Sequence, residues 1–212
     1  MFKYSNNYFS RGLAKLGLFR IGTLYDFRDI EHKSGISDPD EGTKVVRVHI
    51  GNETYESGSD VPKTLSELGL IKCDDTCSNI TLTNIHTTHN LLAPDFYIWC
   101  ASTEKSAAVM SQFEGADTCV EVFDVPRFVA ILNQLMTTMD AEFVGIFEVQ
   151  YRERVEDWNR SNLGMHPAII KDVRFSGQKE LRAIWKPNHG NPIEPIKGRC
   201  DGLSSCCRIV SI

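Results

Sequence analysis

The stretch Val173–Trp185 reads VRFSGQKELRAIW, and it decides how the rest of the chain is interpreted. A strand-like run is interrupted by Ser-Gly and resumes at Gln178-Lys179-Glu180 with mostly apolar residues. A carboxylate at the start of an apolar strand needs a partner or a chemical role, because burying an unpaired ion is costly. Residues two apart on a strand face the same side, so Gln178 and Glu180 are predicted to point into one cleft.

Length and composition are typical of a globular protein. The 212 residues are 42% hydrophobic and 24% charged, which predicts a single domain over residues 1–212 with a Pro-, Gly- and Cys-rich tail segment at 186–205. The net charge of −5 provides no strong basic field for nucleic acid. Without an apolar run of about 18 residues or a signal-peptide pattern, we expect no membrane partner and a cytoplasmic location.

The pattern of the chain predicts an α+β fold. Strands are predicted at residues 2–4, 18–25, 44–50, 80–85, 96–101, 118–123, 142–151, 173–185 and 207–212. Helices are predicted at residues 7–16, 62–68 and 125–136, with another that follows Glu104 and ends near Phe113. Residues 26–42 form a long polar loop, and long loops are often functional. The expected result is a largely antiparallel sheet, split or continuous, with short flanking helices.

The seven cysteines are odd in number and unevenly spaced, so free thiols or metal ligands are expected rather than a disulfide framework. One set, Cys73-x3-Cys77 with His86-x2-His89, would suit zinc. Its spacings lie at or beyond the edge of familiar zinc patterns, and we favour ordinary loop residues, so no metal ligand is assigned. Cys100 lies in an apolar run and is interpreted as a small buried hydrophobe.

Several short motifs accompany the Gln-x-Glu pair. They are Gly22-Thr23-Leu24-Tyr25, Asp38-Pro39-Asp40-Glu41, Trp99-Cys100-Ala101-Ser102 and Lys179-Glu180-Leu181-Arg182. Together they span most of residues 2–185. This arrangement resembles a family of uncharacterised bacterial and phage proteins whose layout is similar to that of ADP-ribosyltransferases. The resemblance implies an ADP-ribosyltransferase-like fold, NAD as substrate, an unidentified protein or nucleic acid as acceptor, and a role as a toxin or phage–host conflict effector.

The resemblance also implies roles for individual residues. Glu180 would hold a ribose hydroxyl and stabilise the oxocarbenium ion that forms as nicotinamide departs. Gln178 would orient the acceptor, and Ser102 would support Glu180. The first strand of that enzyme group supplies an Arg or His, where this chain has lysine and tyrosine. The residues expected to contact the dinucleotide are Lys3, Tyr4, Arg20 and Tyr25.

Structural interpretations of the same residues remain open. Glu180 could be a solvated residue paired with Arg182 or Lys179. Ser102 or Thr103 could cap the following helix. Residues 38–41 could form an Asp-Pro turn on the surface.

Other functional classes remain open beside the transferase. A non-enzymatic interaction module from a phage or mobile element would use the same fold to bind a host protein or nucleotide. A DNA- or RNA-acting enzyme is a third class. No nucleophile elbow, Walker loop or His-Glu-x-x-His motif points to a familiar hydrolase. The oligomeric state is not predicted.

Overall fold

The computed structural model describes residues 1–28, 37–56, 58–72 and 78–212. They form two compact units, which we call the main unit (Met1–Gly42, Ala93–Arg152 and Ala168–Ile212) and the insert unit (Thr43–Leu92 and Glu153–Pro167). The single domain of the sequence analysis stays a prediction.

The described residues contain five α-helices and thirteen strands. The helices are α1 (Asn7–Leu16), α2 (Asp60–Glu67), α3 (Ala107–Met110), α4 (Val125–Thr138) and α5 (Asp201–Ser204). The strands are β1 (Phe2–Ser5), β2 (Leu18–Thr23), β3 (Thr43–Tyr55), β4 (Ile80–Leu92), β5 (Tyr97–Ser102), β6 (Thr118–Val122), β7 (Ala141–Glu148), β8 (Gln150–Tyr151), β9 (Val155–Asp157), β10 (Ile170–Lys171), β11 (Glu180–Pro187), β12 (Ile196–Arg199) and β13 (Cys207–Val210). Short 3-10 helices lie at Asp26–Arg28, Pro167–Ile169 and Val173–Gln178.

The main unit is built on an antiparallel sheet of eight strands with β5 at its centre. Strand β11 pairs with all six residues of β5, and β7 pairs with the other edge of β11. The other edge of β5 is shared. Strand β2 pairs with Tyr97 and Ile98, whereas β1 pairs with Ser102. We call β1 and β2, which share this edge of β5, the fork strands. On its other edge β2 pairs with β12, whereas β1 pairs with β6, which in turn pairs with β13.

Local signals explain why the flanking helices begin and end where they do. The side chain of Asn6 accepts a hydrogen bond from the Phe9 N–H and caps α1, and Gly17 ends that helix in the left-handed conformation at φ +63°. A Cβ on Gly17 would lie only 2.0 Å from the Cys200 carbonyl oxygen, so glycine is required there. Asp124 caps α4 through the Arg127 N–H, and a proline lies in its first turn.

The two faces of β5 pack into different hydrophobic clusters. Tyr97, Trp99 and Ala101 belong to the largest cluster, with α4 and Trp185. Ile98 and Cys100 face the other way and pack with a smaller cluster, whose other members include Leu24, Ala93, Ala168 and Ile184. Burial on both faces is typical of a central strand and explains the continuous apolar run in the sequence.

The insert unit consists of the long antiparallel β3–β4 pair, the short parallel strand β9 and helix α2. Its core contains Val46, Val48, Ile50, Leu65, Leu82 and Trp158. Lys44 is buried beside this core. Its ammonium donates hydrogen bonds to Glu156 and to the carbonyl oxygens of Leu163 and Met165. A buried lysine is tolerated because every donor direction has an acceptor.

The α+β class and the largely antiparallel sheet are confirmed, but several boundaries differ from the prediction. Residues 173–178 form a 3-10 helix rather than a strand, because Asp172 caps the segment through the Arg174 N–H. Lys179 then adopts a left-handed conformation at φ +48°, and the strand begins only at Glu180. Strands β3 and β4 are longer than predicted, and the helix expected to reach residue 113 is the single turn α3.

The tail segment 186–205 contains regular structure. It contains β12, which pairs with β2, and helix α5. Within the described residues, no helix has the length and apolar character needed to cross a membrane.

Candidate functional site

Glu180 is the first residue of β11 and lies directly opposite Ser102, the last residue of β5. Its side chain is only 6% exposed. The Oε1 atom accepts a hydrogen bond of 2.7 Å from Arg182 Nε, and Oε2 accepts one of 2.9 Å from Lys171 Nζ. The backbone N–H of Glu180 donates to the hydroxyl oxygen of Tyr151 at 2.7 Å. The carboxylate is therefore buried and paired on both oxygens, and it is not solvated.

The electrostatics of the site keep this carboxylate ionised. Burial alone would raise the pKa of Glu180, but the adjacent positive charges of Arg182 and Lys171 outweigh it and hold the pKa well below its usual range. The same burial acts on the neighbours. It raises the pKa of Tyr151, an effect to which the charge of Glu180 adds, and it raises the pKa of the Cys100 thiol to about 12. Cys100 is thus a poor nucleophile, in agreement with its interpretation as a packing residue.

Gln178 and Glu180 are brought together by a lysine. Since the strand begins only at Glu180, the prediction that both residues lie on one strand is wrong. Lys171 Nζ nevertheless donates to Gln178 Oε1 at 2.9 Å as well as to Glu180 Oε2. Gln178 and Lys171 are both buried. The two polar groups of the Gln-x-Glu motif therefore meet at one ammonium, 4.7 Å from the centre of the Phe175 ring.

Ser102 supports the turn that leads to Glu180. Its hydroxyl donates a hydrogen bond of 2.8 Å to the Gln178 carbonyl oxygen, and the N–H of Thr103 donates to the Lys179 carbonyl oxygen at 2.8 Å. The alternative that Ser102 or Thr103 caps the next helix is wrong, because α3 is capped by Ser106. Ser102 thus acts on the backbone before Glu180 and not on its carboxylate.

Arg182 connects this site to the Asp-Pro segment of the sequence. Its two terminal nitrogens donate to the two carboxylate oxygens of Glu41 at 2.9 and 3.0 Å, and Nη1 also reaches the Ala168 carbonyl oxygen at 2.7 Å. Asp38 and Glu41 are both fully buried. The Asp-Pro turn at residues 38–41 is present, because the Glu41 N–H donates to the Asp38 carbonyl oxygen at 2.9 Å and Pro39 and Asp40 are exposed. Its two end carboxylates are nevertheless buried, and Glu41 supplies the counter-ion of Arg182.

The candidate cofactor residues Lys3 and Arg20 lie on the two fork strands. The ammonium of Lys3 donates to the Cys100 carbonyl oxygen at 2.6 Å and lies 5.4 Å from the centre of the Trp99 ring. Burial lowers the pKa of Lys3, the negative charge of Glu180 opposes this shift, and the positive charge of Arg20 adds to it. Arg20 and Glu180 are thus both close enough to act on Lys3. Arg20 itself forms an ion pair with Asp26 at 2.5 Å.

The other two candidate cofactor residues have packing contacts of their own. The Tyr4 hydroxyl donates to the Glu104 carbonyl oxygen at 2.8 Å and accepts from the Ser106 N–H at 3.0 Å, and the Tyr4 ring stacks on Phe113. The Tyr25 hydroxyl donates to the Ala93 carbonyl oxygen at 2.8 Å. The structure therefore joins Glu180, Gln178 and Ser102, with Lys3 near them, and uses both tyrosine hydroxyls elsewhere.

Two members of the site were missed by the sequence reasoning, namely Lys171 and Tyr151. Lys171 follows the apolar run Ala168-Ile169-Ile170. A charge directly before an apolar run was the signal that singled out Glu180, and the same reasoning applied to a charge directly after such a run could have identified Lys171. Tyr151 carried no comparable signal, because a tyrosine at the end of a predicted strand is ordinary.

The alternative zinc set can be followed only in part, because Cys73 and Cys77 lie outside the described residues. His86 and His89 are in β4. The described ranges contain no group of three or more His, Cys, Asp or Glu residues placed to hold a metal. Five described cysteines, Cys100, Cys119, Cys200, Cys206 and Cys207, are free thiols.

The function of the site has to be interpreted from its geometry, because the comparisons with known proteins found no match. No family model matches the chain, and neither a curated protein nor a solved structure matches it.

Proposed function

We propose that the chain is an ADP-ribosyltransferase-like enzyme that binds NAD and transfers ADP-ribose to a macromolecular acceptor. The observation that supports the proposal is the position of Glu180, an ionised carboxylate at the first residue of a central strand, beside the end of β5. The proposed setting is the cytoplasm, with a role as a toxin or phage–host conflict effector. The role as a toxin or effector rests on the sequence resemblance, whereas the cytoplasmic location rests on the apolar pattern of the sequence.

The reaction needs a negative charge that is already in place. As the bond between ribose and nicotinamide breaks, its electron pair leaves with nicotinamide and positive charge develops on the ribose. A fixed carboxylate stabilises this oxocarbenium-like state. The acceptor then bonds to the anomeric carbon and loses a proton. Glu180 supplies the carboxylate, and Gln178, which shares Lys171 with it, orients the acceptor.

Substrate binding requires access to an oxygen of Glu180, and each oxygen already accepts one hydrogen bond from a cation. Arg182 is held by a bidentate pair with Glu41 and by the Ala168 carbonyl oxygen. Lys171 makes one hydrogen bond to Gln178 and one to Glu180, and it lies over the Phe175 ring. We assign Lys171 as the group that gives way, so that Oε2 binds a ribose hydroxyl while Arg182 keeps Oε1 in position.

The two cations on the fork strands are suited to the pyrophosphate of NAD. Lys3 presents an ammonium that meets a phosphate as a point charge, and Arg20 presents a planar fork that can bind two oxygens at once. The guanidinium of Arg20 is held by Asp26, so a phosphate would compete with this carboxylate. We assign Lys3 and Arg20 to the dinucleotide on this basis.

The test combines direct binding with turnover. Purified protein is titrated with NAD by calorimetry and then incubated with labelled NAD and cell lysate, with release of nicotinamide and labelling of macromolecules as readouts. Glu180→Gln should abolish turnover, whereas Glu148→Gln, an exposed carboxylate on the adjacent strand β7, should retain it. A wild-type protein that neither binds NAD nor releases nicotinamide would overturn the proposal.

A second variant protects the test against loss of folding in Glu180→Gln. Lys3→Gln leaves the paired carboxylates untouched and should raise the KM for NAD with a smaller effect on kcat. Circular dichroism confirms the fold of each variant. If a folded Lys3→Gln protein and a folded Glu180→Gln protein both turn over NAD as the wild type does, the assigned residues are wrong.

A non-enzymatic interaction module is the second candidate, and one observation favours it. Both oxygens of Glu180 already have cationic partners inside the chain, which is the arrangement of a structural ion pair. If this candidate is correct, a pull-down recovers one stoichiometric partner, and a folded Glu180→Ala variant recovers the same amount. Loss of the partner together with loss of NAD turnover would instead support the enzyme.

A further inference from the structure

Two histidines face each other on the β3–β4 pair of the insert unit. His49 and His86 are direct cross-strand partners, and both are exposed. Their Nδ1 atoms are 3.1 Å apart, and their ring centres are 4.1 Å apart. His89 pairs with Val46, which belongs to the insert-unit core, and so lies on the other side of the strand pair.

The contacts of His86 fix which of its nitrogens carries a proton. Its Nε2 atom lies 2.9 Å from Asn84 Oδ1. Because an amide oxygen only accepts hydrogen bonds, Nε2 must donate and carry the proton. In the neutral ring Nδ1 is then left with a lone pair, and it is this atom that faces His49. Asn84 reaches the position through a left-handed backbone at φ +49°, an unusual conformation inside a strand.

We propose that His49 and His86 form a binding site for a divalent transition-metal ion. With metal–nitrogen distances of about 2.0–2.1 Å, nitrogens 3.1 Å apart subtend an angle of about 100° at a shared ion. This angle is suitable for neighbouring ligands in tetrahedral or square geometry. In the metal-free pair His49 Nδ1 donates to His86 Nδ1, so His49 must take the Nε2–H tautomer when the ion binds. The exposed rings turn about their terminal side-chain torsion, which has a broad minimum, and then direct both Nδ1 lone pairs at one ion.

Asn84 has the role of an outer-shell partner in this site. A histidine ligand usually donates its second ring N–H to an oxygen, which fixes the tautomer and the ring orientation. The Asn84 amide oxygen supplies this contact before any metal binds. Imidazole ligands without thiolates or carboxylates favour Cu²⁺, Ni²⁺ or Zn²⁺ over Mg²⁺ or Ca²⁺. Water is expected to complete the coordination, since Glu53, a carboxylate on the same strand as His49, is held by Arg160 and Tyr55.

Binding at this position would link β3 to β4, because each strand contributes one ligand. A ligand that binds only the folded state stabilises it, so a metal-dependent rise in the melting temperature is expected. The site is separate from the Glu180 site in residues and in unit, and it does not depend on the proposed transferase activity.

The experiment uses the untagged full chain and Ni²⁺ as the probe, followed by calorimetry and thermal unfolding. We expect one saturable site per chain that is lost in His49→Gln and in His86→Gln. Asn84→Ala should weaken binding by about 10-fold to 100-fold, as loss of outer-shell contacts does elsewhere. His89→Gln is the matched control, because it removes a histidine three residues away on the same strand and should leave the affinity unchanged.

The controls also separate this site from the cysteine-containing set considered in the sequence analysis. A Cys73→Ser/Cys77→Ser variant should bind Ni²⁺ with unchanged affinity. The proposal is overturned if the wild type shows no saturable Ni²⁺ binding, if His49→Gln binds as the wild type does, or if the His89 or cysteine changes abolish binding. Circular dichroism of each variant, recorded without metal, shows whether a loss reflects the ligand or the fold.

Discussion

Arg182 and Glu41 form a bidentate ion pair at 2.9 and 3.0 Å although 141 residues separate them in the chain. Both side chains are 1% exposed. The same guanidinium binds Glu180 through Nε. Burial tends to lower the pKa of Arg182, but the two carboxylates outweigh it and raise the pKa. One arginine therefore ties the segment that contains Glu41 to the start of β11 and fixes the position of the candidate catalytic carboxylate.

Glu41→Gln should destabilise the protein strongly. The change removes the charge that compensates Arg182 and leaves a buried guanidinium with a weaker partner. Removing one member of a buried ion pair costs about 3–5 kcal/mol. Urea unfolding monitored by tryptophan fluorescence measures the effect, and the exposed Glu148→Gln serves as the matched change. A loss below about 1 kcal/mol would show that the pair is far less important than its geometry indicates.

Glu180 should make stability depend on pH in acid. Its folded-state pKa lies below the unfolded value, because Arg182 and Lys171 favour the ionised form despite burial. The unfolded state therefore takes up the proton first as the pH falls. The resulting stabilisation is complete above the unfolded pKa of about 4.3 and is lost as the pH falls towards the folded pKa.

Glu180→Gln removes this titration. The slope of the free energy of unfolding against pH should become shallower below about pH 4.5, by up to about 1.4 kcal/mol per pH unit. Urea unfolding at a series of pH values between 6 and 3 (roughly the range in which carboxylates titrate) measures both proteins. Parallel curves for wild type and variant would contradict the shift.

The elements that the sequence predicted best are those whose signals are local. The Asn6 cap, Gly17 and the apolar positions of α1 lie within a dozen residues, and α4 has Asp124 and a proline at its start. The continuous apolar run of β5 required burial on both faces wherever the strand lay. Such patterns need no knowledge of which distant segments meet.

The contacts of the candidate site depend on distant segments, and this limited what could be predicted. The partners of Glu180 come from β10, β8 and β11, and Arg182 needs Glu41 from near the N-terminus. The pairing of Glu180 with Arg182, two residues along the same strand, was open to prediction. No spacing rule connects Lys171, Tyr151 or Glu41 to them, because tertiary topology brings these residues together. The prediction of a strand at residues 173–178 was wrong for a local reason. The Asp172 side chain caps a 3-10 helix there, and this hydrogen bond competes with extended structure.

Lys44→Met should destabilise the insert unit. The methionine fills similar space but leaves Glu156 and the carbonyl oxygens of Leu163 and Met165 without the ammonium. The loss of a buried cation with a carboxylate partner costs about 3–5 kcal/mol. Hydrogen exchange followed by mass spectrometry should show faster exchange in β3, β4 and β9. Lys63→Met, an exposed lysine of α2, should leave these amides protected, and equal protection in both variants would argue against the role of Lys44.

Tyr151→Phe should destabilise the protein without changing its packing. The tyrosine hydroxyl accepts the Glu180 backbone N–H at 2.7 Å, and phenylalanine leaves that donor without its partner. An unsatisfied buried donor costs about 1–3 kcal/mol. Tyr8→Phe is the control, because Tyr8 is 75% exposed and should change the free energy of unfolding by less than about 0.5 kcal/mol. Chemical denaturation compares the two variants, and an equal effect would mean that the Glu180 N–H has found another acceptor. Because burial raises the pKa of Tyr151, the variant should also lack one tyrosine that ionises only above the usual range, as an ultraviolet titration of the folded protein would detect.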